Sequence, residues 1–283
     1  GGGGPREPQG LEGDYGAIAL LLLLYMLQGV PMGIAGSVPL LLQSKGVSMS
    51  AQGQFLLIAW PFSLKQLRAP LVDPVDSSTR GRRKTWILPM QGLMGILLLW
   101  SAAHVNGWLG DGQGADGGCQ VSTLTAVFFA FYFLAATQDI AVDGLALTVL
   151  SARNKELGAT CNAIGQSVGY NLAFTVFIGL HGRGLVTLGS FMGLWGWIFL
   201  ASTLWVAMVK RDDHTPVKTS LTTAFTSTYR EMYIVLQLSS VRAIALLLLS
   251  CKAALGVFEA VTLLKLQKAG IQMEFIGYIA PVL

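Results

Sequence analysis

The chain has 283 residues, of which 53% are hydrophobic and only 12% charged, with a mean hydropathy of +0.57. Soluble domains carry about 25% charged residues, so the composition excludes an ordinary soluble enzyme. Its apolar content equally excludes a disordered chain, which combines low hydrophobicity with high charge. The net charge is +4, and the placement of that charge says more than its sum.

Residues 1–16, GGGGPREPQGLEGDYG, are glycine-rich and polar and read as a disordered tail. Residues 17–43 are then almost free of charge, long enough for a helix to cross a hydrocarbon core of about 30 Å. Further spans are expected at 51–72, 86–104, 122–150, 158–181, 189–209 and 243–266, with an eighth beginning near Phe275. The expected organisation is therefore a tail, a six-helix bundle over 17–209, a loop over 210–242, and the first one to two helices of a second half over 243–283. Cys119, Cys161 and Cys251 are far apart and show no CxxC spacing. No disulfide framework, metal site or cofactor is expected.

Charge sets the orientation. With a cytosolic N-terminus, the cytosolic loops carry eleven basic residues: Arg80, Arg82, Arg83, Lys84, Arg153, Lys155, Lys210, Arg211, Lys218, Arg230 and Arg242. The opposite loops carry four: Lys45, Arg183, Lys265 and Lys268. The positive-inside rule places the N-terminus in the cytosol. It also makes RGRRK, lying between two spans, a topology signal and not a nucleic-acid patch, so no nucleic acid is expected as a partner.

Two stretches echo one another. Gln43, Gly46, Val47 and Met49 match Gln267, Gly270, Ile271 and Met273 at one constant offset. An apolar helix with Gly-Val precedes each, and an Ile-Ala segment ending in proline follows. The pattern suggests a duplication whose second copy starts near residue 243. Two six-helix halves make the major facilitator architecture. The expected fold is thus an all-α membrane protein with a complete first half, truncated early in its second.

Polar residues inside apolar helices mark candidate sites. Asp139 and Asp143 stand four apart in the fourth helix and share a face. A central aspartate in lipid costs about 2.5–3.5 kcal/mol, so both must face protein, water or a cation. Asp143 is expected to pair with Arg80 or Arg82 in a cytosolic latch that includes Asp73 and Arg83, since arginine–carboxylate pairs suit such a lock. Asp139, with Gln138, is expected one turn deeper at the waterline of a central cavity, on the transport path. Lys65, Lys252 and Glu259 are further intramembrane charges, and Gln28 and Gln166 further polar groups; each is a candidate for binding a transported ligand. The competing reading of each is static packing or ion pairing.

Several strings together resemble one family: LYMLQGVPMGIAGSVPLLLQSK from Leu24, WPFSLK from Trp60, FLAATQDIAVDGLALTVLS from Phe133, TCNAIGQSVGY from Thr160 and RGLVTL from Arg183. They look like the eukaryotic acetyl-coenzyme A transporters, an endoplasmic-reticulum branch of the major facilitators related to bacterial muropeptide permeases. Arg68 and Glu259 depart from the family pattern. The resemblance implies import of cytosolic acetyl-CoA into the lumen of the endoplasmic reticulum by a multi-pass protein. Membrane lipid, a proton coupled through Asp139 and a homodimer that supplies the missing half are further expected partners. Acetyl-CoA carries a pyrophosphate and a 3′-phosphate, and Lys65 and Lys252 are the cations this sequence offers to them. The residues alone do not select coenzyme A over another organic anion or a sugar-peptide. A membrane-embedded acetyltransferase is the rival class, but His104, His181 and His214 all fall at span ends or in loops, which argues against an enzyme. A truncated, non-transporting membrane protein is the third reading.

Overall fold

The computed structural model describes residues 11, 13–65, 84–113, 118–209, 229–231, 233–271 and 275. Within them every regular element is helical. The long helices are α1 (Tyr15–Ser44), α4 (Lys84–Trp108), α5 (Val121–Val149), α6 (Leu157–Gly182), α7 (Leu188–Val209) and α8 (Ser239–Lys268). Two short helices, α2 (Met49–Phe55) and α3 (Trp60–Ser63), flank a 3-10 turn at Leu56–Ala59. Among the described residues five helices, α1 and α4 to α7, are long and apolar enough to cross a membrane.

The outward faces fit lipid. Ile164, Val168, Leu172 and Val176 of α6 are exposed at a spacing of four, and Leu93, Ile96 and Trp100 of α4 at spacings of three and four. A contiguous apolar surface of this kind is a liability in water and costs nothing in a bilayer. α1 and α5 occupy the centre of the bundle: 67% and 56% of their most apolar stretches are buried, against 33% for α4, α6 and α7.

Two helix pairs flank α5, and glycines close both. In the α1–α6 pair a side chain at Gly169 would collide with the Met26 carbonyl, and one at Gly29 with the Gln166 carbonyl. In the α4–α7 pair Gly189 lies against the Ala102 carbonyl and Gly196 against Leu99. Small residues permit this backbone approach, which in lipid supplies the packing attraction that hydrophobicity does not.

The second expected span, 51–72, is not one continuous helix. α2, the 3-10 turn and α3 form a broken helical segment, with Pro61 at the start of α3. Proline has no N–H to continue the ladder. The segment lies along α5: the Phe55 ring packs edge-on against Phe128 at 5.5 Å, and Phe62 against Tyr132 at 5.7 Å. Residues 66–72 of that expectation lie outside the described residues.

The sequence echo has a structural counterpart. Both stretches close a helix with the same turn. The amide of Gly46 donates to the Gln43 carbonyl and that of Val47 to Leu42; likewise Gly270 donates to Gln267 and Ile271 to Leu266. Gly46 and Gly270 have φ of 77° and 88°, a left-handed conformation that glycine adopts without strain. The two turns also meet, because Gln267 Nε2 donates to the Leu40 carbonyl at 3.1 Å.

Candidate functional site

Three long helices each bring a polar pair at helical spacing to one place: Tyr25 and Gln28 from α1, Asp139 and Asp143 from α5, Asn162 and Gln166 from α6. Lys65, just past α3, completes the cluster. The aromatic contacts fix its arrival. Phe55 meets Phe128, Phe62 meets Tyr132, and Lys65 meets Asp139, so the broken segment runs beside α5 in the same direction.

Lys65 Nζ donates to Asp139 Oδ2 at 2.5 Å and stands 3.6 Å from Asp143 Oδ2. Gln166 Nε2 donates to Asp139 Oδ1 at 3.0 Å. Asn162 Nδ2 bridges the carboxylates, 3.3 Å from Asp139 Oδ1 and 3.1 Å from Asp143 Oδ1. The Tyr25 hydroxyl donates to Asp143 Oδ1 at 2.8 Å. Gln28 Oε1 accepts from Gln166 at 3.3 Å, while its fully buried Nε2 has no hydrogen-bond partner. The cluster therefore holds two carboxylates and one ammonium, linked by neutral donors.

Access to it is graded. The Asp139 side chain is fully enclosed, that of Lys65 is 25% exposed and that of Asp143 45%. This corrects the expectation that Asp139 stands at a waterline. Asp139 points into the contact between α5 and the other elements of the cluster, and Asp143, one turn on, is the half-exposed carboxylate.

Gln138 is separated from its neighbour. Successive residues of a helix point about 100° apart, and Gln138 faces α4. Its Nε2 donates to Gln91 Oε1 at 3.2 Å, and Gln91 Nε2 donates to Ser202 Oγ of α7 at 2.8 Å. Gln138 and Asp139 thus belong to different polar networks on different faces of α5.

The remaining expected residues are scattered or undescribed. Lys252 stands exposed on α8, and among the described residues no hydrogen bond of the cluster involves that helix. The side chain of Glu259 lies outside the described residues, as do Asp73, Arg80, Arg82 and Arg83 and with them the expected latch. Among the described residues, Asp143 has Tyr25, Asn162 and Lys65 as partners. Tyr25 and Asn162 were not anticipated, although each lies three or four residues from a glutamine that was. A separate apolar groove of about 660 Å³, lined by Leu57, Trp60 and Phe129 among others, opens about 15 Å along α5 from Asp139 at 1.5 Å per residue.

At the end of α5 nearer this cluster, Asp14 ties the start of α1 to the following loop. It accepts from Ser151 Oγ at 2.6 Å and Asn154 Nδ2 at 2.7 Å. The hydrogen bonds from Ser151 and then Asn154 hold its carboxyl below the usual aspartate range.

Apolar helices long enough to span a bilayer, closed by backbone-to-glycine contacts around a charged cluster that lipid cannot solvate, define a polytopic membrane protein. Residues 17–224 match the model of the family described as acetyl-coenzyme A transporter 1, and the chain belongs to that family. It is 31% identical to an uncharacterized membrane protein of Saccharomyces cerevisiae over 92% of this chain and 56% of the relative. It is 29% identical to an uncharacterized protein of Schizosaccharomyces pombe over 93% of this chain and 51% of the relative. The anhydromuropeptide permease of Escherichia coli K12 is 29% identical over 53% of this chain and 29% of the permease. The chain spans about half the length of the two yeast relatives. The family is one of membrane transporters.

Proposed function

We propose that the protein carries acetyl-CoA from the cytosol into the lumen of the endoplasmic reticulum. The family match names the substrate class, and the cluster of Lys65, Tyr25, Gln28, Asn162 and Gln166 around Asp139 and Asp143 is the observation in this chain that carries the reading. A polyanion passing through a bilayer needs cations and directed donors in a low-dielectric path. This cluster is where the described residues concentrate them. Lys65 is the cation of that path, and Lys252 the second, contributed from α8. The matched helix-end turns at Gly46 and Gly270 support a pair of related halves rocking about the site, the major facilitator mode of alternating access. The basic loops support a cytosolic N-terminus, with the Arg80 cluster, Asp73 and Asp143 as a cytosolic latch.

Uptake of radiolabelled acetyl-CoA by sealed microsomes carrying the protein tests the proposal. Lys65→Ala at equal expression is expected to abolish uptake, and unlabelled acetyl-CoA to compete where a muropeptide does not. Competition by the muropeptide alone would transfer the same site to a sugar-peptide permease.

A further inference from the structure

Four donor groups from three separate elements end on the two carboxylates of α5: Lys65 Nζ, the Tyr25 hydroxyl, Asn162 Nδ2 and Gln166 Nε2. A fifth, Gln28 Nε2, is fully buried beside them and has no acceptor. An ammonium ringed by neutral donors is the chemistry that holds an oxyanion. Here the oxyanions are the protein's own side chains. With both carboxylates ionised the cluster carries one uncompensated negative charge, so another anion cannot enter unless a positive charge enters with it.

We propose that Asp139 and Asp143 are resident anions that an external phosphate or pyrophosphate group displaces from Lys65, one proton being taken up on Asp139 as the ligand anion binds. The inference rests on the reading of this cluster as the ligand site. The charge and atom balance is direct. A proton enters from water at the half-exposed Asp143, crosses the Asn162 bridge region and ends on Asp139 Oδ2, the oxygen that Lys65 releases. Lys65 keeps its three protons and turns to the ligand. Gln166, Asn162 and Gln28 then offer their N–H groups to it. Among the described residues, the titratable groups facing Asp139 are Lys65 from the α3 segment, Asp143 on α5 itself and Tyr25 from α1. α6 contributes only the neutral Asn162 and Gln166.

The test uses the purified chain in nanodiscs with two probes, inorganic pyrophosphate and acetyl-CoA. Wild-type protein is expected to bind pyrophosphate about tenfold tighter at about pH 5.5 than at about pH 8, taking up about one proton per ligand in weakly buffered solution. Asp139→Asn is expected to bind at about pH 8 as the wild type does in acid, without proton uptake. Lys65 keeps Asp143 as a counter-charge in that variant, so the fold is retained, and its proton count subtracts any proton that the phosphate groups of the ligand take up themselves. Binding by the wild type that is independent of pH and takes up no proton overturns the inference. If pyrophosphate behaves as expected and acetyl-CoA does not bind, displacement stands and the acetyl-CoA reading falls. If acetyl-CoA binds with no proton uptake, displacement falls and the acetyl-CoA reading stands. Failure of both probes to bind overturns both.

Discussion

The α1–α6 and α4–α7 pairs are closed alike and used differently. Each brings backbone against backbone at glycine, and each packs on α5. Yet the first encloses two carboxylates, a lysine and four neutral polar side chains, while the second encloses two amides and a hydroxyl. α5 divides the two at consecutive residues, Gln138 and Asp139. Exposure separates them as well: Asp143 is half exposed on the charged side, whereas Gln91 and Gln138 are both fully buried. A buried amide chain can be satisfied internally, as Gln91 largely is. A buried charge excess needs an exchange with solvent or ligand. The side that carries the excess is the one that has access.

The comparison breaks most sharply at Lys65. Lys65→Met strands two carboxylates, one of them enclosed, and is expected to cost about 3–5 kcal/mol in a detergent melting assay. Adding Asp139→Asn is expected to restore much of the loss. A melting temperature unchanged by Lys65→Met would mean that the pair contributes nothing to holding α3 against α5.

Glycine substitution comes next. Gly169→Ala drives a methyl group into the Met26 carbonyl and is expected to cost at or above the top of the usual range of about 1–3 kcal/mol for overpacking. Gly193→Ala, whose added methyl would meet the Ala102 side chain at an ordinary 3.6 Å, is expected to be close to neutral. Monodisperse yield and melting temperature compare the two directly, and equal losses would deny that Gly169 is a backbone contact and Gly193 an ordinary one.

On the amide side, Gln138→Met removes the donor to Gln91 and is expected to cost about 1–3 kcal/mol. Pairing it with Gln91→Met is expected to recover most of that. Neither change is expected to alter the pH dependence of ligand binding; a shift there would join the two networks that the geometry separates.

The smallest effect belongs to Asp14. Its carboxyl is held below the ordinary value of 3.8, so the clamp is complete above that value and is lost only as the pH falls through the lowered one. Asp14→Asn is expected to lower the melting temperature slightly at neutral pH, with the difference from wild type vanishing in strong acid. A difference that grows in acid would reverse the sign and remove the clamp.

Much of this was legible in the residues. The apolar lengths gave five of the expected spans, α1 and α4 to α7, and the four-residue spacing of Asp139 and Asp143 placed them on one face. The same 100° rule could have parted Gln138 from Asp139, and the three- and four-residue spacings could have added Tyr25 to Gln28 and Asn162 to Gln166. What no spacing reveals is which helices meet. The partner of Lys65 depends on a broken segment lying along α5, and that break is announced only by Pro61 and the short run around it. Lys252 looked equivalent to Lys65 as an intramembrane cation, but periodicity does not say that one is packed against carboxylates and the other stands exposed.

The glycine contacts between α1 and α6 carry a mechanical consequence. Carbonyl oxygens seated directly on Cα atoms leave no side-chain cushion to deform, so the two helices cannot slide past one another without a clash. They must travel as a single strut. Tyr25, Gln28, Asn162 and Gln166 are all mounted on that strut, whereas Lys65 and the two aspartates are not. Any tilt of the strut against α5 would therefore withdraw three donor groups, those of Tyr25, Asn162 and Gln166, from the carboxylates in one stroke and leave the ammonium behind, a coarse movement of backbone translated into an abrupt change of electrical environment.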